Sequence, residues 1–125
     1  VDYTPTLNHE YINDRYPILL QKYRAAIAAD TYSPVIKYWE IPAAGCLTFM
    51  EITQKNRGEY TGFKDNETAI FINEKNYQDK FSEYLSDKEN KKWKTITKAG
   101  NEFALKKFNN DTGVESVVEL IKMLL

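Results

Sequence analysis

Histidine and cysteine are nearly missing from this 125-residue sequence, which has one of each, His9 and Cys46. A lone cysteine excludes an internal disulfide framework. With a single histidine beside it, a Cys/His zinc site is excluded too, and no metal site is expected. Neither sign of charge dominates: 17 basic and 18 acidic side chains leave a net charge of -1. That balance argues against a dedicated nucleic-acid binder, which carries a basic excess. No apolar run approaches the roughly 20 residues that span a bilayer. The polar opening Val1-Asp2-Tyr3-Thr4 does not read as a secretion signal. The expectation is a cytoplasmic chain. Its five glycines and four prolines gather into no linker, and no repeat is visible, so residues 1–125 read as a single domain. At this length a chain buries roughly two-thirds of its unfolded surface, enough for a core without staples.

What is present is an alternation of short apolar runs and amphipathic stretches. Pro17 suits the first turn of a helix over 17–23. Ala25-Ala26-Ile27-Ala28-Ala29 is too short for a helix and reads as a strand buried on both faces. Ser33-Pro34 reads as an N-cap followed by proline at the first helical position. The helix it starts runs through Trp39 and Ile41 to Ala44, with Gly45 as the stop and Pro42 distorting the last turn. Cys46–Met50 and Ala69–Ile72 are further strands, separated by a polar loop over 53–68. Tyr77, Phe81, Tyr84 and Leu85 make an apolar stripe. Ser86 with Glu89 reads as a capping box for a helix carrying Trp93, Ile96, Gly100, Phe103, Ala104 and Phe108 on one face. Thr112 with Glu115 reads as another, before Val114, Val117, Val118 and Ile121. All these stripes read as core. The order predicts an α/β, Rossmann-like layered domain: a short parallel sheet with flanking helices.

In open α/β sheets, ligands bind beyond the carboxyl ends of the strands. The loop from Asp30 to Ser33 lies on that edge and leads into a helix start, where free amides and a partial positive charge suit a phosphate. Val35 and Ile36 would offer amides, Ser33 a hydroxyl and Lys37 an ammonium. Glu40, about a turn and a half deeper, could accept hydrogen bonds from vicinal sugar hydroxyls. A plain helix with a surface glutamate and an ordinary Ser-Pro cap explains the same residues.

The run Lys37-Tyr38-Trp39-Glu40-Ile41-Pro42-Ala43-Ala44-Gly45-Cys46-Leu47-Thr48 resembles the K-Y-x-E-I-P-A-A-G-x-L-L segment of spore-maturation-type glycosyltransferases, which are group-1-like families of the GT-B fold. Gly62-Phe63-Lys64-Asp65-Asn66-Glu67 is similar to the family's G-F-x-D-G-E turn, and the likeness extends over roughly residues 23–122. It implies the distal part of a C-terminal domain that binds a nucleotide-diphosphate sugar of UDP or GDP type, without a metal or other cofactor. Glu40 would take the donor ribose. Ser33, Pro34, Val35, Ile36 and Lys37 would surround the diphosphate. Thr31, Tyr32, Ala43, Ala44, Gly45 and Thr53 would neighbour the donor. Lys55 or Arg57 would add charge. A glycan or other acceptor, and any catalytic base, would belong to an N-terminal domain outside this chain. No catalytic residue is assigned, and the chain by itself is expected to be inactive. Tyr32 stands where many relatives carry a second glutamate. Asn66 replaces a turn glycine, a mild change because asparagine tolerates a left-handed backbone.

Other residues have plainer readings. His9 lacks a recognisable partner and reads as structural or surface. Cys46 reads as a small core residue. The lysines from Lys88 to Lys98 around Trp93 read as a solvated helix face rather than a nucleic-acid stripe. Six of the nine tyrosines (Tyr3, Tyr11, Tyr16, Tyr23, Tyr32, Tyr38) crowd the first third. They support an alternative: a non-catalytic α/β interaction domain that docks a protein partner through a tyrosine-rich face.

Overall fold

The structure, a computed structural model, describes residues 13–124, so His9, Tyr3 and Tyr11 lie outside the described residues. Three parallel strands, β1 (Ala25–Ala28), β2 (Leu47–Glu51) and β3 (Ile70–Ile72), form one sheet in the order β1-β2-β3. Ala25 lies beside Leu47, and Phe49 beside Ile70. Side chains alternate across the sheet with period two, so each strand feeds two cores. Leu47, Phe49, Ile70 and Ile72 point to one face, where Phe81, Tyr84, Trp93 and Ile96 cover them. Met50, with Ala28 beside it, points to the other, towards Leu20, Tyr38, Ile41 and Ala104. The helices on these faces are α1 (Tyr16–Leu20), α2 (Lys37–Ala43), α3 (Tyr77–Ser86) and α4 (Lys91–Lys107). The expected α/β layering is therefore present, with helices on both faces of a parallel sheet.

The ends of these elements follow local chemistry, not always the chemistry expected. Pro17 sits in the first turn of α1 as anticipated. At the end of α2, Gly45 takes a φ of +85°, its amide bonds Pro42 O, and the Cys46 amide bonds Ile41 O. That is a Schellman stop, which a left-handed glycine permits. Asn66 adopts the left-handed φ of +58° that its turn requires. Both capping boxes fail. Ser86 is the last residue of α3, and Asn90 caps α4 by accepting from the Lys92 amide at 3.0 Å. Asn109 does the same for the Thr112 amide at 2.8 Å, so α5 (Asn110–Leu124) starts before Thr112. Asparagine's short amide reaches N2 or N3 as well as serine does.

Three burial expectations also need correction. β1 is an edge strand, so Ile27 is 45% exposed rather than enclosed on both faces. No residue of α3 is buried, and Tyr77 and Leu85 of its stripe are exposed. None of the residues of α5 is buried, so the stripe of Val114, Val117, Val118 and Ile121 is not core. Phe108, just before α5, folds back on Trp39 and Phe63, and the chain then leaves the body of the fold.

Cys46 is the small core residue expected, its thiol donating to the carbonyls of Leu20 and Tyr23. The α4 helix passes from one core to the other. Its Gly100 meets the backbone of Thr68, and its Asn101 donates to the last carbonyls of α2, Pro42 O and Ala43 O, at 3.0 and 2.9 Å.

Candidate functional site

Three connections lie at the carboxyl ends of the strands, and one buried amide ties the first two of them to α2. Asn56 is 1% exposed. Its Nδ2 donates to Asp30 O after β1 (3.0 Å), to Glu51 O at the end of β2 (2.8 Å) and to the Tyr38 hydroxyl on α2 (3.3 Å). Its Oδ1 accepts from the amides of Thr53 and Gly58. The Tyr38 hydroxyl donates in turn to Glu51 O at 2.9 Å. Burial first, then the Glu51 charge, push the Tyr38 phenol up to about 12, so it stays a neutral donor. After β3, Asn73 and Asn76 bond each other's amides reciprocally. A rigid backbone frame thus surrounds the strand ends.

The loop after β1 differs from its sequence reading. Asp30 Oδ1 accepts from the amides of Tyr32 (3.0 Å) and Ser33 (3.2 Å). These two bonds hold the Asp30 carboxyl below its usual range, with a smaller contribution from Lys37. They also keep residues 31–33 in a bend, so α2 starts at Lys37, not at Pro34, and no side chain caps it. Ser33 is therefore not an N-cap, and its amide is already engaged. The free donors are the amides of Val35, Ile36 and Lys37, which have no partner among the described residues.

The later helix start also moves Glu40. It lies in the first turn of α2 rather than a turn and a half inside. It is half-buried, and its carboxylate has no hydrogen-bond or ion-pair partner among the described residues. Burial raises its carboxyl pKa. Its charge, second to burial, raises the phenol of Tyr16 on α1, which places Glu40 towards that helix.

Ala43, Ala44 and Gly45 end α2 near the amino end of β2, one helix length from the strand-end loops. The fold does not bring them together with Thr31 and Thr53. Those two line a cleft of about 620 Å³ at the carboxyl ends. Glu51 to Lys55 form its wall below β2, and Asn73 to Lys75 its wall below β3. Lys55 Nζ sits 4.5 Å over the ring of Tyr32, which is 76% exposed. Arg57 is exposed and outside this lining.

Sequence reasoning missed Glu51, Gln54, Asn73, Glu74 and Lys75. The available signal was position: Glu51 ends β2, and Asn73 directly follows β3. Among the described residues no group of three or more His, Cys, Asp or Glu is placed to hold a metal ion, and no helix is long and apolar enough to cross a membrane. Comparisons with protein-family models, with curated proteins and with solved structures each return no match.

Proposed function

We propose that the chain is the nucleotide-sugar-binding part of a GT-B glycosyltransferase, from its C-terminal, donor-binding domain. The observation that carries this reading is Glu40. It is a half-buried carboxylate with no donor of its own, in the first turn of α2, and the free amides of Val35, Ile36 and Lys37 lead into that turn. Burying a carboxylate without donors costs free energy, and the two hydroxyls of a ribose would supply the missing donors. The amides of Val35, Ile36 and Lys37, with the Lys37 ammonium, would meet the diphosphate. Ser33 and Pro34 would line the turn. The K-Y-W-E-I-P-A-A-G order supports the same assignment. Stabilising the departing nucleoside diphosphate by fixed donors is the task left to this domain. The acceptor, a glycan or another hydroxyl compound, would be held by a separate domain, so the chain alone binds and does not turn over.

The alternative of docking through a tyrosine face is supported less. Tyr38 is core, and Tyr16 and Tyr23 pack against the core. Of the described tyrosines in the first third, only Tyr32 is exposed.

Glu40 gives a test in which binding and stability move in opposite directions. Glu40→Gln or Glu40→Ala should weaken nucleotide diphosphate binding by roughly 1–3 kcal/mol, about 5- to 150-fold. Because the folded pKa is raised, the favourable term belongs to the protonated form. It is present below the unfolded pKa and is lost as pH rises through the folded value. Glu40→Gln should therefore raise the melting temperature at pH 7.5 and leave it nearly unchanged near pH 4. Wild-type affinity should fall as Glu40 is protonated, above the ordinary value of 4.5, a component of the pH dependence that the glutamine variant lacks. Equal nucleotide affinity in wild type and variant would remove Glu40 from the site.

A further inference from the structure

We propose that α5 is a self-association helix, through which two copies of this chain pair antiparallel. In α5 (Asn110–Leu124), Val114, Val117, Ile121 and Leu124 recur at alternating steps of three and four, the spacing of a seam between two helices. Val118 and Leu120 widen that seam, one on each side. All six side chains are exposed, and no residue of the helix is buried.

α5 needs a partner on energetic grounds. An isolated helix of about this length is marginal in water even when built from strong helix formers. α5 contains instead Thr112, Gly113, three valines and Ile121, all weak helix formers. Its helical state must therefore draw on packing of the apolar face, and the body of the fold buries none of it.

Area and charge point to a second copy as that partner. The six side chains expose roughly 550 Å² per chain, so a pair would bury about 1,100 Å², enough to clear the roughly 1,000 Å² of a specific interface. The face is self-complementary in one direction only. Asp111, Glu115 and Lys122, at steps of four and seven, lie on one side of the helix, beyond Val118. In a parallel pair, Lys122 would meet Lys122 and Glu115 would meet Glu115. In an antiparallel pair centred on the seam, each Lys122 falls beside Glu115 of the other copy, and the helix dipoles oppose. Lys122 already reaches Glu119 of its own helix at 3.2 Å. Both of those side chains are largely exposed, and such a pair is worth little. A membrane surface suits the helix less well. Asp111, Glu115 and Glu119 outnumber Lys122 on the polar side, and anionic lipids would repel them. Two-fold pairing also closes on itself, as one self-complementary face requires.

Sedimentation equilibrium of the full chain, from about 1 to 200 µM, tests this. The expected result is a monomer–dimer equilibrium in the micromolar range, as a small interface gives. Val117→Asp/Ile121→Asp should weaken it more than about tenfold. The melting temperature at low concentration should stay unchanged, because neither side chain is buried in one chain. Lys122→Glu should weaken the dimer about three- to tenfold, since two symmetric pairs are lost, and Glu115→Lys/Lys122→Glu should restore it. A wild-type chain that stays monomeric throughout overturns the proposal and gives the face to another partner. A dimer that survives Val117→Asp/Ile121→Asp overturns it too, in favour of a contact such as the open edge of β1. A dimer that the charge swap fails to restore overturns the antiparallel pairing.

Discussion

Asn56→Ala is expected to cost about 3–5 kcal/mol of stability, because truncation strips hydrogen bonds from several buried partners at once. The Thr53 and Gly58 amides lose their acceptor, and Asp30 O loses its side-chain donor. Glu51 O keeps the Tyr38 hydroxyl. Each buried group left unpaired costs about 1–3 kcal/mol, and the costs are not fully additive. Against a total stability of about 5–15 kcal/mol, this is a large fraction. Urea unfolding of wild type and variant measures it. Asn56→Asp should fare no better, since its carboxylate would face the carbonyls of Asp30 and Glu51 in place of a donor. A loss under about 1 kcal/mol for Asn56→Ala would mean that the amide does not hold the strand-end frame.

The second large effect is at Gly100. Helix propensity alone favours alanine over glycine by about 1 kcal/mol. Here a Cβ would lie 2.2 Å from Thr68 O and 3.3 Å from Thr68 C, both backbone atoms. The Thr68 turn or α4 must therefore move, at the point where α4 passes the start of β3 and the end of α2. Overpacking of this kind costs about 1–3 kcal/mol, occasionally more, so Gly100→Ala is expected to lose about 2–4 kcal/mol despite the better propensity. Gly113→Ala is the control. Nothing lies within 4 Å of its Cβ position, so it should gain up to about 1 kcal/mol. If both substitutions stabilise, the close approach at Gly100 is not there.

These two residues mark the limit of what the sequence conveyed. Strands β1, β2 and β3 were legible because each is a short apolar run bounded by polar residues. Gly45 and Asn66 were legible because a left-handed backbone favours those residue types. Gly100 was visible only as one member of an apolar stripe, since the carbonyl it accommodates lies 32 residues earlier in the chain. Asn56 gave no signal, because its partners at Asp30 and Tyr38 are distant in sequence.

The start of α2 was misread for a local reason. Ser33-Pro34 is a good cap, but Asp30 captured the nearby amides first. The same shift puts Glu40 in the first turn of α2 instead of deeper inside it. α5 shows the opposite failure. Its periodicity marks an apolar face correctly, yet periodicity does not say what covers that face, and none of its residues is buried.

The measurement that bears most directly on the central claim is a calorimetric titration of the chain with UDP and with GDP, with and without magnesium, beside the Glu40→Gln variant. The donor reading predicts saturable binding of one of the two nucleotides, unchanged by magnesium and weakened in the variant. Absence of binding at millimolar concentrations of both, or binding that Glu40→Gln leaves intact, would contradict it.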